Sequence, residues 1–317
     1  EIASCLVGSE MCIRDSVYGV EKYIERCARS LFEQTLDDIE YLFIDDCTPD
    51  DSIGILKTVF NEYPQRKTQV IIHRMEINSG QAVVREFGMK HATGDYVIHC
   101  DSDDWIDTSA YKEMYELAIM EDADVVVCDF YNVGEYKKSK VLGCHNSNKE
   151  IFFKNIISQR DQGALWNKMF KRTSCFKDVI WAKGDMGEDM LMCLQFVYNA
   201  SKVVHLPKAF YYYYNNPLSI SSAMSKEAIV YRFQQSIANA NDLVYFFKRN
   251  GIYEQYSDEV DRVLFSKKNQ LLPLIGEMEY YTLWKNTFSE LNYKVLFNSN
   301  ISSVSYTHLR AHETRGN

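Results

Sequence analysis

From residue 17 to about 132, short apolar runs alternate with stretches whose apolar residues recur every three or four positions. The runs are Ile39-Glu-Tyr-Leu-Phe-Ile-Asp45, Gln69-Val-Ile-Ile-His73, Tyr96-Val-Ile-His-Cys-Asp101 and Asp124-Val-Val-Val-Cys-Asp129, and the helical stretches span 21–34, 51–63, 80–91 and 109–121. Runs that are apolar on both faces need cover on both sides, and helices between them supply it when the sheet is mainly parallel. This confines the chain to an α/β class, a Rossmann-like and mostly parallel sheet flanked by helices. Beyond 132 the pattern changes. Residues 149–189 mix short helices and strands, 203–214 read as strand, and 226–291 are largely helical, a C-terminal helical extension.

In such sheets ligands bind beyond the carboxyl ends of the strands. Two acidic clusters, Asp45-Asp46 and Asp101-Ser-Asp103-Asp104, fall at such ends and so share one edge of the sheet. Repulsion and desolvation both oppose ionising acids gathered at a strand end, unless a cation arrives. Oxygen-only ligands suit Mg²⁺ or Mn²⁺, which keep positions open for water and phosphate. An acidic turn also caps a helix N-terminus, so the cluster has a purely structural reading as well.

The two ends of the chain differ from its middle. Cys5-Leu-Val-Gly-Ser-Glu-Met-Cys-Ile-Arg-Asp15 and Val304-Ser-Tyr-Thr-His-Leu-Arg-Ala-His-Glu-Thr314 can be encoded by opposite strands of one DNA segment. Thus ATG-TGT-ATA-AGA-GAC for Met11 to Asp15 is the reverse complement of GTC-TCT-TAT-ACA-CAT for Val304 to His308. Selection on a protein has no reason to make antisense ends. Both resemble translated sequencing-adapter DNA, and 1–16 and 303–317 are read as non-native segments. Residues 12–16 are not the continuous apolar run that a central parallel strand requires. The chain is therefore expected to lack its first strand, with Val17-Tyr18 as the remaining tail.

The apolar share of 46% is ample for a core, and the net charge of −9 argues against a general nucleic-acid binder. Of nine cysteines, Cys5 and Cys12 fall in the adapter-like segment and the others are scattered without metal-ligand spacing, a pattern of a reducing cytoplasm. No apolar run approaches the roughly 20 residues of a membrane span.

Taken together, Tyr18-Gly-Val-Glu21, Ile44-Asp-Asp-Cys-Thr-Pro-Asp-Asp-Ser52, Asn78-Ser-Gly-Gln-Ala-Val-Val-Arg85, Gly94-Asp-Tyr, Asp101-Ser-Asp-Asp104 and Gly187-Glu-Asp189 resemble the family 2 glycosyltransferases of GT-A fold. The resemblance runs from Val17 to about Ser221. It implies a nucleotide-sugar-binding half over 17–135, an acceptor-side half over 136–222 and a helical extension over 223–302. It also implies a nucleotide-sugar donor, UDP-linked by expectation, held by Tyr18, Asp46, Asn78, Gly80, Arg85 and Asp101. Asp46 would accept the uracil N3 hydrogen and Tyr18 would pack on the base. Asn78 and Gly80 would present helix amides to the diphosphate with Arg85 one or two turns in, and Asp101 would lie at the ribose. Asp103 would hold Mg²⁺ or Mn²⁺, with Asp104 a lesser candidate. Asp189 would act as catalytic base with Glu188 in support.

By that resemblance the enzyme inverts the anomeric centre and extends a surface polysaccharide, with a glycan or lipid-linked acceptor. It would be cytoplasmic, at the inner face of the plasma membrane if the acceptor is lipid-linked. Trp166 and Tyr211 to Tyr214 read as packing around the sheet and His205 as a strand residue, while 217–221 resemble the loop that closes the family's nucleotide site. The alternatives are a sugar-nucleotide pyrophosphorylase, disfavoured by Gly187-Glu-Asp189, and an inactive truncated nucleotide-sugar binder.

Overall fold

The computed structural model describes residues 11–216 and 223–294. Most of the antisense ends, and the loop at 217–221, lie outside the described residues. The chain divides into two compact units at residues 219/220.

The first unit opens with a regular alternation of β1 (Met11–Val17), α1 (Ile24–Phe32), β2 (Ile39–Asp45), α2 (Ser52–Phe60), β3 (Val70–Arg74), α3 (Gln81–His91) and β4 (Tyr96–His99). It continues through β5 (Trp105–Ile106), α4 (Ala110–Met120), β6 (Val125–Val133), β7 (Lys138–Val141), α5 (Lys149–Ile157), β8 (Lys168–Lys171), α6 (Arg172–Cys175), α7 (Glu188–Asn199) and β9 (Val203–Tyr214). The strands form one sheet in the order β3-β2-β1-β4-β8-β6-β9-β5, with β7 beside β6. β1 to β4 pair in parallel, and β8 runs antiparallel between β4 and β6. The first half is thus a doubly wound parallel sheet, and the second half is mixed.

Alternation along the strands splits the core between the two faces. Tyr41, Phe43, Tyr96 and Ile98 pack with Phe32 of α1 and Leu56 of α2. Leu42, Ile44 and Val97 face the other way, against Val84 of α3.

The first strand is present, which corrects the expectation drawn from residues 12–16. Met11–Val17 is an interior strand, paired with β2 from Met11↔Ile39 to Val17↔Asp45 and with β4 from Met11↔Tyr96 to Arg14↔His99. Met11, Cys12 and Val17 are fully buried. A ladder on both sides is made by backbone groups of any residue except proline, so pairing carries this segment into the slot although its sequence lacks a continuous apolar run. Replacing residues 12–16 by an apolar β-branched segment is expected to raise the melting temperature, because a strand flanked on both sides gains buried apolar area at about 25 cal/mol per Å². Equal melting temperatures for the two chains would refute this.

The second unit is helical. α8 (Lys226–Arg249), α9 (Ser257–Lys268), α10 (Met278–Asn286) and α11 (Leu291–Lys294) are joined in part by a 3-10 turn, Asn269–Leu274. Ser225 caps α8 by accepting the Ala228 N–H. Phe233, Leu271, Ile275 and Trp284 form its small core.

Candidate active site

The carboxyl ends of β1, β2 and β4 place most of the residues singled out by sequence. Asp45, the last residue of β2, accepts the Thr48 N–H at 2.8 Å and pairs with Arg74 at 2.5 Å. Asp46 is buried, and its two oxygens accept the N–H groups of Ser79 at 2.7 Å and Gly80 at 2.9 Å. It therefore anchors the turn that opens α3. Burial pushes its carboxyl up, although the two N–H bonds pull the other way. Tyr18 is 48% exposed, one residue beyond Val17, whose carbonyl accepts the Asp46 N–H at 3.1 Å. Asn78 is exposed.

Gly80 has φ +86°, and a Cβ there would lie 2.5 Å from Asp185 Oδ2. Both the backbone and the space demand glycine. The Asp185 carboxylate also accepts the Ala82 N–H at 2.9 Å, so an acid from the loop before α7 sits on the first turn of α3. Nothing in the local sequence marks this pairing, because the two positions are 103 residues apart.

Arg85, one turn further along α3, is 1% exposed. Its guanidinium reaches Glu188 at 2.6 Å, Asp189 and, at 3.1 Å, Asp101. The resemblance puts Arg85 beside the diphosphate, whereas here it joins the acidic end of β4 to the first turn of α7. Burial works against its charge, yet Asp189, Glu188 and Asp101 together raise its pKa, so it stays a cation. Burial likewise pushes the Glu188 carboxyl up, against the pull of Arg85. The Asp189 side chain is 26% exposed and that of Glu188 6%. Of the two, Asp189 is the acid within reach of a ligand.

The acids after β4 separate into different roles. Asp104 is fully buried, accepting the Tyr211 hydroxyl at 2.7 Å and the Tyr214 N–H at 2.6 Å. Burial, Asp103 and Asp101 hold its carboxyl well above the usual range. The Tyr211 hydroxyl also receives the Asp101 N–H at 3.0 Å. The packing expected of Tyr211 is present, and its hydroxyl fastens the acidic turn as well. Asp103 accepts the Asn216 amide at 3.0 Å, and its backbone carbonyl accepts from Arg26 at 2.8 Å. The Arg26 guanidinium lies 3.7 Å from the Trp105 ring centroid. Sequence reasoning passed over Arg26 and Asn216, since a helical arginine and a loop asparagine carry no local signal.

Among the described residues no group of three or more His, Cys, Asp or Glu side chains is arranged to hold a metal ion. Asp101 is turned to Arg85 and Asp104 to the tyrosines, which leaves Asp103. Its carboxyl is pushed up by burial and then by Asp101, a surplus of negative charge that a cation would relieve. One carboxylate with waters and phosphates completing the shell fits Mg²⁺ or Mn²⁺.

Residues 16–181 match the family model described as glycosyl transferase family 2. The chain belongs to that family. Among its relatives, EpsH of Bacillus subtilis is 26% identical over 255 residues, covering 78% of this chain and 71% of EpsH. The glycosyltransferase GlyA of Streptococcus pneumoniae serotype 4 is 25% identical over 303 residues, covering 86% of this chain, which spans only 43% of GlyA. The fold is also that of S. aureus TarS 1–349 in complex with UDP-GlcNAc, with a TM-score of 0.59 at 19% identity, covering 82% of this chain and 81% of that one. As a family 2 glycosyltransferase the chain matches the transferase reading rather than the pyrophosphorylase one. No helix among the described residues is long and apolar enough to cross a membrane.

Proposed function

We propose that this glycosyltransferase is a metal-dependent inverting enzyme that moves a sugar from a UDP-linked donor to a glycan or lipid-linked acceptor in surface polysaccharide synthesis. The observation that carries the reading is the Arg85 junction, which sets the Glu188-Asp189 pair against the acidic end of β4. A partly exposed acid of α7 thus lies near the strand end at which such sheets bind ligands, which supports reading it as the base. The likeness to TarS with bound UDP-GlcNAc supports a UDP-type donor.

In this reading Tyr18 packs on the base and Asp46 accepts the uracil imide, since a carboxylate has about four lone-pair sites and two of them serve the turn. Asn78 and Gly80 shape the turn beside the diphosphate; the Ser79 and Gly80 amides of that turn go to Asp46 and the Ala82 amide goes to Asp185 rather than to the phosphates, and Asp101 lies at the ribose. Asp103 would hold Mg²⁺ or Mn²⁺, which when bound would supply positive charge for the departing diphosphate. Asp189 takes the proton of the acceptor hydroxyl as that oxygen attacks the anomeric carbon from the side opposite the phosphate. The carbon–oxygen bond to phosphate breaks, its electron pair leaves with UDP, and a single displacement inverts the centre. Glu188 stays buried behind the base. The enzyme works in the cytoplasm, at the inner membrane face where the acceptor is lipid-linked.

Calorimetry tests the donor side. Mn²⁺ is expected to strengthen UDP binding, and chelator or Asp103→Ala each to weaken it by roughly 10–100-fold, the range for losing support of a metal site. Affinity indifferent to both treatments would remove the metal from the proposal. Release of pyrophosphate instead of UDP on turnover would remove the transferase.

A further inference from the structure

Lys168, the first residue of β8, has no part in the chemistry above, yet it is fully buried. Its ammonium donates to the carbonyls of Gln162 at 2.8 Å and Ala164 at 2.7 Å and to the Asn167 side-chain oxygen at 2.7 Å. A lysine is almost never fully buried unless its charge has work there. Three converging acceptors satisfy its three donors, and all belong to the connector at 162–167.

That connector touches both halves of the candidate site. A Cβ on Gly163 would lie 3.2 Å from the Cα and Cβ of Met190, so the connector backbone rests on the residue next to Asp189. At its other end Trp166 stacks on Tyr211 with ring centroids 4.4 Å apart, and Tyr211 holds Asp104. Asn167 donates to the Cys128 carbonyl at 3.0 Å, fixing the connector to β6. Burial pulls the Lys168 pKa down, and Cys193 and Cys128, followed by Asp189 and Asp161, push it back up.

We propose that Lys168 is a positioning residue for sugar transfer, its ammonium fastening the 162–167 connector as the wall of the acceptor subsite beside Asp189. The inference rests on the transferase reading and adds to it a residue that acts on the acceptor side, because the Gln162 and Ala164 carbonyls that it holds flank Gly163 at the Met190 end of the connector. A connector released from its cation shifts against Met190, and displacement of an acceptor by an ångström is costly when attack must be in line.

The test compares the full chain with Lys168→Met and Lys168→Arg, following UDP release from UDP-GlcNAc and other UDP-sugars with a panel of glycan acceptors. Lys168→Met is expected to raise acceptor KM by about tenfold or more with donor KM and UDP affinity unchanged. Lys168→Arg keeps the charge, but its planar fork cannot reproduce the three converging bonds, so it should recover only part of the loss. A structural role without positioning would lower the folded fraction and leave both KM values alone, and that result overturns the proposal, as would equal changes in the two. Should Lys168→Met fail to fold, Gly163→Ala presses on the same wall, and it too must raise acceptor KM selectively or the proposal falls. A parent chain that binds UDP but turns over no UDP-sugar overturns the transferase reading and this proposal with it. Turnover with no acceptor-selective effect overturns this proposal alone.

Discussion

Asp189→Asn is expected to lower the rate of sugar transfer by about 10²–10⁴-fold, the usual contribution of a positioned general base, while UDP affinity and melting temperature hold. Three carboxylates surround the single Arg85 guanidinium, so removing one negative charge relieves the cluster and leaves no partner stranded. Asparagine keeps the shape and can still fill the place of Asp189, but it cannot take the acceptor proton. Steady-state kinetics of UDP release, with calorimetry on the same preparation, checks this. A variant that transfers at the parent rate would dismiss Asp189 as the base. Loss of UDP binding alongside activity would move its role to the donor. Glu188, buried behind it, has the weaker claim, because a base must touch the proton that it removes.

The second large effect concerns stability. Arg85→Leu is expected to cost about 3–5 kcal/mol, since breaking a buried ion pair by removing one member leaves uncompensated charge in a dry site. For a unit of this size that lowers the melting temperature by about 2–4 °C per kcal/mol. The loss should depend on pH with a definite sign. Burial already pushes the Glu188 carboxyl up and Arg85 pulls it down, so without the arginine it rises further. A carboxyl whose folded pKa lies above its unfolded value favours folding at low pH, and the benefit fades as pH climbs through the folded value. The variant should therefore lie nearer the parent in stability at pH 5 than at pH 8. Adding Glu188→Gln to Arg85→Leu should return part of the loss. Thermal melts across pH decide the matter, and a deficit that is the same at both ends and unmoved by the second substitution would show that Arg85 acts only by packing.

Much of the first half of the sheet was legible because its signals are local. The periodicity that predicts a strand at 69–73 and a helix at 80–91 corresponds to β3 and α3 within a residue or two, and the run ending at Asp129 to the start of β6, which continues to Val133. The first strand was misjudged for a physical reason. Side-chain pattern reports what a strand buries, whereas the ladder that seats Met11–Val17 between β2 and β4 is made by backbone groups that the pattern does not report. The antiparallel insertion of β8 was also hidden, since four residues with two lysines carry no strand period.

The chain's own chemistry determined which carboxylates stand at strand ends, that glycine opens α3, and that Glu188 and Asp189 start a helix, for each follows from neighbours a few positions away. Only the fold decided how those acids are shared. It gave Asp101, Glu188 and Asp189 to one buried arginine, tied Asp104 to Tyr211 and Tyr214, set Asp185 on the first turn of α3, and closed Lys168 over its connector. Charge strength at such sites depends on burial and on partners up to about a hundred residues away, and these exist only once the sheet has brought its strand ends together.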